Sequence, residues 1–145
     1  MRRMKIMAVD LGLARTGLAI SDSHEMLASP LCTLAERDLS RLGEKIAEIA
    51  ATQGAQMLVV GQPRNMDGSR GESALRAEAF ADALGKRTGL PVTLWDERMT
   101  TQIAIGYLNE TDVRGKKRKQ VVDTVAATII LQNFMDSRRL QGETQ

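Results

Sequence analysis

Lys5-Ile6-Met7-Ala8-Val9-Asp10-Leu11-Gly12 decides the fold. Lys5 to Val9 reads as a short apolar run, too short for a helix and apolar enough for a strand buried on both faces. It is closed by a carboxylate, Asp10. Gly12 and Gly17 then punctuate a tight connection, and Gly17 to Ser21 reads as a second strand returning beside the first as a hairpin. Leu27 to Leu34 is a weaker third strand, in which Pro30 points to a sheet edge or a bulge.

Beyond this meander the pattern changes to helices alternating with strands. Asp38 to Ala51 carries Leu39, Leu42, Ile46 and Ile49 on one helical stripe, and Gly54 suits the stop. Met57 to Val60 is a second buried strand, followed by a polar loop from Gly61 to Gly71. Ser73 to Arg87 is a helix with Leu75, Ala79, Phe80, Ala83 and Leu84 expected inward, ended by Gly89. Pro91 to Trp95 is a further strand, ending at Asp96-Glu97. Thr100 or Thr101 can cap a short helix carrying Ile103, Ala104, Tyr107 and Leu108. Thr111 to Gly115 reads as loop. A last helix, from about Gln120 to Ser137, turns Val122, Val125, Ala126, Ile129, Ile130 and Phe134 inward, with a frayed polar end from Arg138.

A three-stranded antiparallel meander followed by strand-helix crossovers calls for one mixed sheet. The expected fold is α/β and ribonuclease H-like, a five-stranded mixed sheet flanked by helices on both faces. It forms a single domain over 1–138, with a polar tail over 139–145.

Composition narrows the function. A chain of 145 residues makes one domain. Its lone cysteine, Cys32, cannot form an internal disulfide, which places the chain in a reducing, cytoplasmic setting. No apolar run approaches the ~20 residues of a membrane span, and the Met1-Arg2-Arg3-Met4-Lys5 start is followed by an apolar stretch broken at Asp10, unlike a signal peptide. One cysteine and one histidine, His24, exclude zinc-finger spacing. A net charge of +2 is uninformative until its distribution is considered.

Three acids stand at element ends. Asp10 closes the first strand, where it either caps the following turn or ligates a metal at the carboxyl end of a central strand. Glu97 closes the last strand, where it either pairs with Arg98 or faces a site. Asp96 and Glu97 point to opposite faces, and the strand alone does not choose between them. Asp123 lies at the margin of the last helix's apolar stripe, where an anion complements the helix dipole. In the expected sheet order the first and fourth strands are neighbours, the fifth flanks the fourth, and a crossing helix can bring all three carboxylates together. Clustered carboxylates repel unless cations neutralise them. Hard oxygen ligands suit Mg²⁺ or Mn²⁺, and two such ions about 4 Å apart support phosphodiester hydrolysis.

Arg114, Lys116, Lys117, Arg118 and Lys119 put five cations in six residues just before Asp123. Such a run is either a solvated face or a clamp for a polyanion beside the acids. With only four aromatic residues in the chain, backbone contact and shape fit nucleic acid better than stacking. The loop Gly61-Gln62-Pro63-Arg64-Asn65-Met66-Asp67-Gly68-Ser69 is either a long turn or an anion site ahead of a helix.

The sequence resembles the YqgF family, also called RuvX, along nearly its whole length. The matches are Ala8-Val9-Asp10-Leu11-Gly12 with Arg15 and Gly17; Val59-Val60-Gly61 with Pro63, Asn65, Met66, Asp67, Gly68 and Ser69; Asp96-Glu97-Arg98 with Thr100, Thr101 and Ala104; and Lys116-Lys117 ahead of Val122-Asp123 with Ala126-Ala127. Ala14, Thr16 and Gln62 depart from the family's usual residues without removing an acid.

The resemblance implies a metal-dependent, Holliday junction resolvase-like nuclease associated with pre-16S rRNA maturation. Asp10, Glu97 and Asp123 are then its catalytic and metal-binding acids, which selects Glu97 over Asp96. Arg15, Arg98 and the cations at 114–119 would hold phosphates. The expected substrate is structured RNA, the 5′ end of pre-16S rRNA, with contact to ribosomal particles. The competing expectations are cleavage of branched DNA by a homodimer, rather than a monomer, and a non-catalytic RNA- or ribosome-binding factor. An actin-like ATPase, suggested by Asp-x-Gly after a strand, needs two lobes that 145 residues do not supply.

Overall fold

The computed structural model describes residues 3–97 and 115–143, with side chains over 3–97 and 124–140. The short helix expected around Thr100 to Leu108 lies outside the described residues. In chain order the elements are β1 (Ile6–Asp10), β2 (Thr16–Ser21), β3 (Ala28–Leu34), α1 (Leu39–Gln53), β4 (Met57–Gln62), α2 (Glu72–Thr88), β5 (Val92–Asp96) and α3 (Gly115–Glu143).

The strands form one sheet in the order β3-β2-β1-β4-β5. β1 pairs antiparallel with β2, placing Asp10 opposite Gly17, and parallel with β4, placing Val9 opposite Val60. β5 runs parallel to β4, with Gly61 opposite Trp95. β3 is an edge strand, and its register slips opposite Leu18 and Ala19, which face Cys32 and Pro30. Both features fit a proline that cannot donate to the ladder.

Alternation along the central strands builds two cores. Met7, Val9, Leu58 and Val60 pack with Leu42, Ile46, Phe80 and Leu84 on the α1/α2 face. Ile6, Ala8, Met57 and Val59 pack with Ala127, Ile130, Leu131 and Phe134 on the α3 face. Both faces are covered, which is why β1 reads as an unbroken apolar run rather than an alternating one.

α1 begins and ends as its sequence predicts. The Asp38 carboxylate accepts the Arg41 N–H at 3.0 Å, and Gly54 adopts φ 72° in the left-handed region. Leu39 at its start is 39% exposed rather than inward. α2 departs further. Its buried side is Ala74, Ala77, Phe80, Ala81 and Leu84, while Leu75, Ala79 and Ala83 face out. Small alanines let the helix lie close to the sheet, and the stripe is turned accordingly.

α3 is longer than its expected 120–137 span at both ends. Gly115, expected to end a loop, and Lys116 to Lys119 belong to its first turns. The frayed end expected from Arg138 is corrected: the helix continues to Glu143, because Arg138 and Arg139 have partners in the β2–β3 turn. Arg138 holds the buried Glu25 carboxylate at 2.8 Å, and Arg139 donates to the Glu25 carbonyl at 3.1 Å. Gln132 adds hydrogen bonds to Ala28 N–H at 2.9 Å and to the Met26 carbonyl at 3.1 Å. Among the described residues, no helix is long and apolar enough to cross a membrane.

Candidate active site

The carboxyl ends of β1, β4 and β5 meet at one edge of the molecule, and side-chain parity decides what gathers there. Ile6 and Ala8 face α3, so Asp10 does too. Met57 and Val59 face α3, so Gly61 follows. Trp95 packs on the same core and meets Phe134 edge-on, with centroids 6.0 Å apart. Two residues further on, Glu97 returns to that face while Asp96 points the other way and is exposed. Period-two geometry thus separates the two neighbouring acids.

Gly61 lies on the strand between the two acid-bearing ones. A Cβ there would overlap the Glu97 carboxylate oxygen Oε2 and come within 2.7 Å of Ile130 Cδ1. The missing side chain is therefore the space in which the carboxylate lies. The Glu97 backbone N–H donates to the Gln62 carbonyl at 3.2 Å, continuing the ladder one step past β5. Glu97 Oε2 is buried and makes no hydrogen bond among the described residues. Its carboxyl is pushed up to about 8, first by burial, then by the charges of Asp10 and Asp96.

The turn after Asp10 is tight. A Cβ on Gly12 would overlap the Arg15 carbonyl, and the Gly12 N–H donates to the buried Thr16 hydroxyl at 3.4 Å. Arg15 lies partly buried in this turn. Gly17 is buried opposite Asp10, in the same row of the sheet. Thr33 is opposite Gly17, and its hydroxyl is 2.7 Å from that of Thr124. That contact fixes α3 against the row containing Asp10, one residue beyond Asp123. The Asp123 side chain itself lies outside the described residues.

The loop after β4 is closed on itself. The Gly68 N–H donates to the Asn65 carbonyl at 2.8 Å, and the Asn65 side-chain amide donates to the Ser69 hydroxyl at 2.9 Å. The Ser69 N–H donates to the Asp67 carboxylate at 2.9 Å. Gly68 takes φ 88°, which favours glycine. Pro63 leads into this turn from the end of β4. Of the other predicted site residues, Arg98, Thr100, Thr101 and Arg114 lie outside the described residues. Lys116, Lys117, Arg118 and Lys119 are placed by backbone alone, in α3.

Sequence reasoning passed over the buried Glu25–Arg138 pair, whose partners are far apart in the chain, and over Gly61 as the space for Glu97. The signal for Gly61 was present: a glycine closing an all-apolar strand marks a close approach. Among the described side chains, no group of three or more acids, histidines or cysteines gathers to hold a metal. They supply the Asp10–Glu97 pair.

A five-stranded sheet of this order, carrying an acid pair at the carboxyl ends of its central strands, defines a protein of the ribonuclease H-like class. The chain belongs to the RuvX family, whose model, described as Holliday junction resolvase, matches residues 4–137. This is a family of nucleases. A protein of Lachnospira eligens named "Putative pre-16S rRNA nuclease" is 42% identical over 139 residues, covering 94% of this chain and 99% of that one. One of the same name from Pelotomaculum thermopropionicum is 45% identical over 136 residues, covering 93% and 88%. Among solved structures, T. thermophilus RuvC in complex with Holliday junction substrate superposes with a TM-score of 0.60 at 13% identity, covering 94% of this chain and 96% of that one. Fowlpox virus resolvase with Holliday junction DNA superposes with a TM-score of 0.54 at 11% identity, covering 92% and 98%. At such identities these two likenesses show the fold.

Proposed function

We propose that this chain is a divalent-metal-dependent endonuclease acting on structured RNA, and that its substrate is the 5′ end of pre-16S rRNA. The observation that carries the reading is the Glu97 carboxylate, buried over Gly61 within reach of the Asp10 charge, with an oxygen that no described group satisfies. Two carboxylates so placed are unstable as a pair without a cation. Their hard oxygen donors fit Mg²⁺ or Mn²⁺. Asp10 and Glu97 would hold the ions, with Asp123 as the third acid. When bound, such ions lower the pKa of water and stabilise a leaving oxygen in phosphodiester hydrolysis.

The chain's own residues do the rest. Gly61 admits the Glu97 carboxylate, and the Gly12 turn fixes the backbone that follows Asp10. Arg15, Arg98 and the cations at 114–119 hold substrate phosphates. Cations in the first turns of α3 stand at the positive end of a helix dipole, an arrangement that a bound polyanion relieves. The relatives' name supplies the choice of RNA.

The test is cleavage of a precursor 16S rRNA fragment with Mg²⁺ and with EDTA. Asp10→Asn and Glu97→Gln are each expected to lower the rate at least about 100-fold. Undiminished cutting by Asp10→Asn sinks the assignment. The family's description favours a second reading, cleavage of four-way DNA junctions. A junction-cleavage assay with sedimentation separates the two, since symmetric cutting calls for a dimer.

A further inference from the structure

Two arginines, one bonded to the turn after Asp10 and one to the end of β4 beside Glu97, carry charges that no carboxylate neutralises among the described residues. Arg76, near the start of α2, donates Nη2 to the Gly12 carbonyl at 3.2 Å, two residues beyond Asp10. Arg64, in the loop after β4, donates Nε to Gln62 Oε1 at 3.0 Å and Nη1 to the Gly68 carbonyl at 3.3 Å. Gln62 is the residue whose own carbonyl receives the Glu97 N–H.

Most neighbouring cations are held differently. Arg70 pairs with Glu78 at 2.7 Å and Lys86 with Asp82 at 3.1 Å. On α1, Lys45 pairs with Glu36 at 3.1 Å. Arg64 and Arg76 instead lean on neutral acceptors, which fix each guanidinium and leave its charge in place. A guanidinium carries five N–H donors, so most of each fork is uncommitted. None of their remaining nitrogens is buried without a partner. The turns they brace face outward: Leu13, next to Gly12, is 75% exposed, and Met66, in the Arg64 loop, is 69% exposed.

Resting on the reading of the acid pair as a nuclease site, we propose that Arg64 and Arg76 form a phosphate-binding site on the α2 side of that pair. They take backbone phosphates of the same RNA strand that the cations of α3 engage from the other side. Two fixed, partly buried guanidiniums match phosphate oxygens at less entropic cost than mobile lysines. The strand then crosses the carboxyl edge of the sheet from α3 to α2, with the acids between.

The test is binding rather than cleavage. Anisotropy of a fluorescein-labelled precursor 16S rRNA fragment is measured in EDTA over a range of salt, so the result stands whether or not the chain cuts RNA. Arg64→Gln and Arg76→Gln should each weaken binding about five-fold at 0.1 M salt and reduce the salt slope by about 0.7. The charge-keeping Arg76→Lys should retain the slope. Lys45→Gln and Lys86→Gln, which remove paired cations elsewhere, should leave it unchanged. Unaltered slopes in both arginine-to-glutamine variants overturn the proposal. So does an equal loss in Arg76→Gln and Arg76→Lys accompanied by lowered thermal stability, which makes Arg76 a brace alone. Wild-type RNA binding with lost affinity only for a labelled four-way DNA junction also overturns it.

Discussion

Two glutamates lie against the sheet at its opposite ends, and the protein treats them in opposite ways. Glu25, in the β2–β3 turn, is 2% exposed. Arg138 grips both of its oxygens, at 2.8 and 3.3 Å, and the Met4 N–H donates to it at 3.1 Å. Its φ of 58° is unusual for a residue other than glycine, and these contacts hold it there. Glu97, at the acid edge, has a buried oxygen with no described donor and two acids for neighbours. One end is a closed structural fastening. At the other, no described group meets the buried Glu97 oxygen, which costs stability and makes sense where a ligand supplies positive charge.

The largest effect on folding should come from opening the satisfied end. Arg138→Ala leaves a buried carboxylate without its partner, which costs about 3–5 kcal/mol. It also removes the guanidinium lying 5.8 Å from the Phe134 ring centre. Urea denaturation should show this loss, with RNA cleavage per folded molecule retained. A loss below about 1 kcal/mol would show that Glu25 is not held as its contacts indicate.

At the unsatisfied end the sign reverses. Glu97 has a folded pKa of about 8 against an ordinary value of 4.5. Its protonated form is the one the metal-free fold prefers. Stability from this group is therefore full below pH 4.5 and is lost as pH rises through about 8. Glu97→Gln keeps the neutral shape, so in EDTA it should match wild type near pH 4. It should exceed wild type by about 2–4 kcal/mol near pH 9. Denaturation across that pH range checks this, and a constant difference between the two proteins breaks the contrast. Nuclease activity should fall in the same variant that gains stability.

The two ends also differ in how far they could be read from sequence. Strand order and the Asp10 strand were legible because burial on both faces leaves an unbroken apolar run. Strand periodicity separates Asp96 from Glu97 without naming the one that faces the site; the family resemblance selects Glu97, and the packing of Trp95 on Phe134 gives the physical reason. Thr124, the residue after Asp123, meets Thr33 across 91 residues, a contact that leaves no local signal in the sequence. The Glu25–Arg138 bond spans 113 residues and left no local trace. On α2 the apolar residues are nearly all alanines, so the pattern does not distinguish the stripe through Leu75, Ala79 and Ala83 from the one through Ala74, Ala77 and Ala81 that packs on the sheet. The end of α3 has no local signal either, because Arg138 and Arg139 have the pattern of solvent-facing charges and their partner, the Glu25 turn, lies 113 and 114 residues away.

Gly61→Ala tests the acid edge without touching a charge. The added methyl overlaps a flexible carboxylate and crowds the Ile130 methyl, so the side chain of Glu97 is the part that can yield. Overpacking of this kind costs about 1–3 kcal/mol. If Glu97 moves towards solvent, burial no longer opposes its ionisation and its pKa falls towards 4.5. The variant should then lose the stability difference from its Glu97→Gln double mutant at high pH, and cleavage should fall with it although every acid remains. A Gly61→Ala protein that keeps wild-type pH dependence would mean that the glycine is not what seats the carboxylate, and that the contrast between the two ends rests on the neighbouring acids instead.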